Sequence, residues 1–103
     1  MSSTNTHNVF VPRFHELLNA AMVSDTEQAF VTIEHVRYTC HIERDLSTGK
    51  IETIVLTSHV QRGNDTVIEL LIAYDIIGIA RLYSDSPIVN LFVLILDDMY
   101  HAK

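Results

Sequence analysis

The apolar positions along this chain change period twice, from helical to strand-like and back, and each stretch predicts its own elements. Phe14, Leu17, Leu18, Ala21 and Met22 recur at i, i+3, i+4, i+7 and i+8, one face of a helix, with Arg13, Glu16 and Asn19 off the stripe. Pro12 suits the first turn of that helix, where its missing N–H costs nothing. Residues 1–8, MSSTNTHN, read as a flexible polar tail before it. From Ala29 the period falls to two. Val36, Tyr38, Cys40 and Ile42 alternate with His35, Arg37, Thr39, His41 and Glu43, as in a strand buried on one side. Val31 and Ile33 have the opposite parity, so either a bulge lies near Glu34–His35 or the strand starts there. Asp45–Lys50 is turn chemistry, and a second strand follows with Ile54, Leu56 and Val60 on one parity.

The last third is too apolar to form a free surface. Gly63–Asn64–Asp65 predicts a break, and Thr66 to Glu69 matches a capping box that would open a helix over Thr66–Tyr83. Its charged residues Glu69, Asp75 and Arg81 would stand about 120° apart around the axis, leaving no continuous solvated face. Gly78 would sit inside that helix, tolerated at about 1 kcal/mol or placed for close helix approach. Ser86 and Pro87 then cap a further helix carrying Ile88, Leu91, Phe92, Ile95, Leu96 and Met99. Val and Ile also favour sheet, so a strand over residues 88–96 is the alternative. The expected fold is a small single α+β domain over residues 9–103, in the order α-β-β-α-α. An antiparallel β-hairpin would pack against an apolar C-terminal helical hairpin.

Composition turns this pattern toward a partner. Apolar residues are 48% of 103 and charged residues 19%, rich and poor respectively for a chain with much surface per residue. A lone two-stranded hairpin is marginal and leaves both edges unpaired. Both observations ask for a second copy, most simply a two-fold homodimer. Leu71, Ile72, Ile76, Ile79, Leu91, Phe92 and Ile95 are the expected contact residues, because interface centres are apolar and aromatic. A charged residue at Ile76 or Phe92 should then dissociate the assembly.

The net charge of −6, with acidic residues scattered, opposes nucleic-acid binding. No apolar run approaches the ~20 residues of a membrane span, and the N-terminus lacks the charge and apolar core of a secretory signal. The cytoplasm is the expected location. A single cysteine, Cys40, excludes an internal disulfide, and strand parity sends it inward, away from His41.

The best polar constellation is the outer face of the hairpin, with His35, Arg37, His41 and His59. His35 should lie opposite or diagonal to His59, and two imidazoles are a partial zinc or nickel site. Glu43 stands about 27 Å from His35 along the strand and cannot complete it. Asp97 and His101, four apart, can meet on one helix face, but nothing supplies a nucleophile or pocket. Six histidines would also permit pH-dependent association near pH 6. No cofactor and no catalytic set is expected. The reading is a homodimeric protein–protein interaction module that inhibits or modulates a larger protein, such as a transcription factor or an enzyme. The alternatives are a metal-binding or enzymatic protein using His35 and His59, and a structural subunit of a larger complex.

Overall fold

The computed structural model describes residues 2–101, with side chains for residues 8–78 and 80–101. The chain runs α1 (Ser2–Val23), β1 (Gln28–Ile33), β2 (Val36–Arg44), β3 (Ile51–Arg62), β4 (Asp65–Asp75), β5 (Ile79–Leu82) and α2 (Pro87–His101). The strands form one antiparallel sheet in sequence order, each paired with its neighbour in the chain. The α+β class is as expected, but the order α-β-β-α-α is not: five strands separate two helices. No helix among the described residues is long and apolar enough to cross a membrane.

Two of the extra strands come from the segment expected to be a helix. Thr66–Tyr83 instead supplies most of β4 and all of β5. Its continuous apolar run has a local cause. The β3–β4 register passes from Leu56↔Ile72 to Thr57↔Leu70, so Leu71 is the extra residue of a bulge. Leu71 and Ile72 are consequently both buried, which erases the alternation that marks a strand. The charges that left a helix without a solvated face fit a sheet. Arg81 Nη2 donates to Asp75 Oδ1 at 3.2 Å across the β4–β5 pair, and Asp75 also accepts from Thr53 Oγ1 at 2.9 Å. Gly78 lies in the β4–β5 turn at φ +109°, a conformation that L side chains rarely adopt.

The remaining strand arises upstream. Ile33 pairs with Val36, and the two residues between them, Glu34 and His35, have φ of 51° and 71°. That is a two-residue hairpin turn, in which both central residues take positive φ. It reverses the chain and explains why Val31 and Ile33 run on the opposite parity. The Asp45–Lys50 turn forms as expected, with Asp45 Oδ1 accepting from the Ser47 N–H, the Ser47 hydroxyl and the Thr48 N–H.

Helix α1 takes in residues 2–8, read from the sequence as a tail, and Pro12 lies inside it rather than in its first turn. Residues 88–96 are helical. Ser86 Oγ accepts from the Ile88 N–H at 3.1 Å, so Ser86 caps α2 with Pro87 at its first position.

Both helices lie on one face of the sheet. Helix α1 packs on β1, β2 and α2, and α2 packs on β4. Phe14 joins the layers: its ring is 5.0 Å from Phe92 of α2 and 5.7 Å from Tyr38 of β2, edge to face in both cases. Phe10 completes the aromatic cluster at 5.6 Å from Phe14. Cys40, Ile42, Ile54, Leu56, Ile72 and Tyr74 line the floor beneath. Each large apolar side chain buried here contributes roughly 1.5–3 kcal/mol.

Candidate interaction surface

The sheet has an inner face under the helices and an outer face that no element covers among the described residues. The strand registers set the outer side chains in cross-strand rows. Gln28, His41, Val55, Ala73 and Arg81 form one row. Phe30, Thr39, Thr57 and Leu70 form the next, followed by Thr32, Arg37, His59 and Ile68. The face therefore mixes hydroxyls, imidazoles and two guanidiniums with apolar side chains left in water. Phe30 is 66% exposed and Ile68 63%.

Its polar centre is held by specific contacts. Thr39 Oγ1 and His59 Nε2 are hydrogen-bonded at 3.0 Å, and the Arg37 guanidinium lies 5.4 Å from the centre of the Phe30 ring, a cation–π distance. Partial burial, and then the positive charge of Arg37, lower the pKa of His59 below its ordinary value. His41 lies in the neighbouring row, its Nδ1 buried without a hydrogen-bond partner among the described residues. His35 sits in the β1–β2 turn, diagonal to His59. With Thr32, Arg37, Gln61 and Thr66 they line a shallow depression of about 400 Å³.

This arrangement brings together three of the four polar candidates, His35, Arg37 and His59, and sets His41 apart. It is a poor metal site, because Arg37 places a fixed cation beside the two imidazoles and no carboxylate lines the depression. No group of three or more His, Cys, Asp or Glu among the described residues could hold a metal ion. Thr39 and His59 do pair a hydroxyl with an imidazole. No carboxylate orients the other ring nitrogen among the described hydrogen bonds, and the flat sheet excludes little water. Asp97 does not meet His101 as a hydrogen-bonded pair. It accepts instead from the Tyr74 hydroxyl at 2.6 Å, and burial together with this bond pushes the Tyr74 pKa up.

The apolar residues expected to form contacts are mostly spent on this chain's own core. Ile72 and Phe92 have no exposed surface, and Leu71 and Ile95 are 5% exposed. Ile76 and Leu91 are partly buried against the same core. The side chain of Ile79 lies outside the described residues. Among the apolar side chains that do reach solvent in or near the sheet are Phe30, Val67, Ile68, Leu70, Leu82 and Tyr83. Parity could have shown Phe30, since it opposes the buried Val31, but Ile68 and Leu70 were hidden by the helical reading of their segment.

A second feature lies where β3 begins and β4 ends. Lys50, Glu52, Thr53, Asp75, Ile76 and Arg81 help line an open cleft of about 520 Å³. Two of its side chains, Arg81 and Thr53, both donate to Asp75. No protein-family model, curated protein or solved structure matches this chain.

Proposed function

We propose that this chain is a small cytoplasmic interaction module that assembles as a homodimer and modulates a larger protein. The observation that carries this reading is the one-sided sheet. Two helices cover the inner face, while the outer face leaves Phe30, Ile68 and Leu70 in water around a hydrogen-bonded polar centre. Large apolar side chains left in water on an open sheet face are surface that a protein contact can bury. No role is assigned to catalysis or to a bound metal. The dimer seam belongs on the outer face, around the row Phe30–Thr39–Thr57–Leu70, rather than on the seven apolar residues expected from the sequence.

Absolute mass by light scattering behind a sizing column, over a wide concentration range, tests the assembly. A stable dimer that Phe30→Lys converts to a folded monomer supports it. The exposure of Phe30 makes that variant a test of association rather than of folding. A wild-type monomer at every concentration overturns self-assembly, and a dimer indifferent to Phe30→Lys moves the seam elsewhere.

A further inference from the structure

The two margins of the sheet are not equally closed. At the β1 margin, Arg13 of α1 donates to the Thr32 carbonyl at 3.2 Å, and α1 itself lies against β1. At the other margin, β5 pairs only with Ile72–Asp75. The last bond there runs from the Tyr83 N–H to the Leu71 carbonyl at 2.8 Å. Upstream of it, Asp65–Leu70 keeps its ladder with β3 and has no strand on its other side among the described residues. All six residues are exposed. The opening is about 20 Å long, closed by Tyr83 at one end and by the β3–β4 turn at the other.

Its two faces differ in chemistry. Thr66, Ile68 and Leu70 point to the outer face, where Ile68 is 63% and Leu70 39% exposed. Asp65, Val67 and Glu69 point to the inner face, so two carboxylates flank one valine. Beside Glu69, a depression of about 170 Å³ is lined in part by Val36, Val60, Leu71, Ser84 and Ile88. Unpaired backbone groups on such an edge are a template for an added strand.

We propose that this edge takes an extended segment of a partner protein in which apolar residues alternate with Lys or Arg. The inference rests on the reading of the chain as an interaction module and names how the target is held. Backbone pairing along Thr66–Leu70 supplies the bonds. Apolar side chains of the added strand extend the outer face beside Ile68 and Leu70. Basic side chains lie next to Asp65 and Glu69, their aliphatic stems over the apolar floor of the depression. The net charge of −6 favours approach of a basic segment.

A second copy's β4 fits the opening badly. Antiparallel pairing about a two-fold axis normal to the sheet requires facing residues of equal parity. An axis at Val67 sets Asp65 against Glu69 of the partner subunit, two like charges. An axis at Ile68 brings Leu71 of the partner subunit opposite Asp65, the place its own Tyr83 already fills. The edge therefore stays free for a different strand in a dimer formed through the outer face.

The test uses the full chain, labelled with nitrogen-15, and the acetylated, amidated hexapeptide Lys-Val-Lys-Val-Lys-Val. Expected are saturable shifts centred on Thr66–Leu70 and Tyr83, and slowed exchange of the β4 amides that face the opening. Glu69→Lys should weaken binding about tenfold, since it turns an attraction into a repulsion. Glu69→Gln, a milder change at an exposed site, should weaken it less. A peptide of equal charge with proline at its fourth position should not bind, because proline cannot donate to the ladder. Equal binding of the proline peptide, or shifts spread over the whole surface, overturns the proposal. So does concentration-dependent protection of Thr66–Leu70 without peptide, which would mean that a second copy occupies the edge. Mass measured on the same samples separates the two readings. A dimer that ignores the peptide sinks only the edge, and a monomer that binds it sinks only the dimer.

Discussion

Replacing Phe92 with alanine tests whether α2 is docked as described. Phe92 has no exposed surface, and its ring meets Phe14 of α1 at 5.0 Å and 78°. Truncating a fully buried phenylalanine costs about 3–5 kcal/mol, from lost transfer energy and the cavity left behind. A domain of 103 residues has roughly 5–15 kcal/mol in total, so a large share of its stability would go. Urea unfolding followed by circular dichroism, at one fixed protomer concentration, measures the loss. Phe14→Ala should cost a similar amount, and the double variant less than the sum, because the edge-to-face contact contributes about 0.5–1.5 kcal/mol. A loss below about 1 kcal/mol for Phe92→Ala, with the urea slope unchanged, would refute the burial and with it the packing of α2 on α1. A charged residue at position 92 should unfold the chain, so a fall in mass in that variant carries no information about an interface.

Other outcomes follow from the same coordinates. Burial pushes the Cys40 thiol up to about 12 from its ordinary 9.0, so the thiolate forms in the unfolded chain first. The matching stability is fully present below pH 9 and is lost as pH rises toward 12, by at most about 1.4 kcal/mol per pH unit. Urea midpoints at pH 8, 9 and 10 should show this decline and Cys40→Ala should flatten it, while native Cys40 resists a thiol reagent until urea is added. Arg37→Met removes a positive charge beside His59, so the His59 titration followed by NMR should move up while partial burial still holds it below its ordinary value. Because the folded pKa is the lower one, the stability linked to His59 is present above the ordinary histidine range and is lost as pH falls through it. Calorimetry with micromolar zinc should give no heat, since the Arg37 cation lines the same depression as the imidazoles of His35 and His59; stoichiometric uptake lost in His59→Ala would restore the metal alternative.

The parts of the fold legible in the sequence are those where periodicity was undisturbed. The stripe from Phe14 to Ala21 is buried as its spacing requires, and burial alternates from Tyr38 to Ile42 in β2 and from Ile54 to Ser58 in β3, with Cys40 turned inward. Ser86 and Pro87 marked the start of α2 through chemistry that belongs to helix N-termini. Two devices hid the rest. A two-residue turn at Glu34–His35 lacks glycine or asparagine, the usual residues at positive φ, so one hairpin looked like one irregular strand. The bulge at Leu71 buried two successive residues and gave β4 the apolar continuity of a buried helix. Of the polar site, Arg37 and His59 were placed on one face by parity alone, whereas His35 moved from a strand to a turn. The open edge was illegible, because it exists only once β4 is a strand and β5 stops at Leu82.

The physical case for a partner survives the loss of its original location. Apolar excess in a small chain must be buried somewhere, and the C-terminal segment looked like the place because it carries most of it. Folded as β4, β5 and α2, that segment fills the chain's own core with Ile72, Tyr74, Phe92 and Leu96. The two helices can cover only one face of a five-stranded sheet, and the debt passes to the other face. There it is held by different residues: Ile68 and Leu70, two apart on β4, and Phe30, which lies across Thr39 and Thr57 from Leu70 in the same row. The same topology separates two kinds of contact. A face can pair with a second copy by symmetry, while the β4 margin, with carboxylates at alternate positions and Tyr83 at its end, rejects its own image and accepts a basic strand. Under these proposals the face and the edge share Ile68 and Leu70, so the separating variants are Phe30→Lys, which should spare peptide binding, and Glu69→Lys, which should spare the dimer.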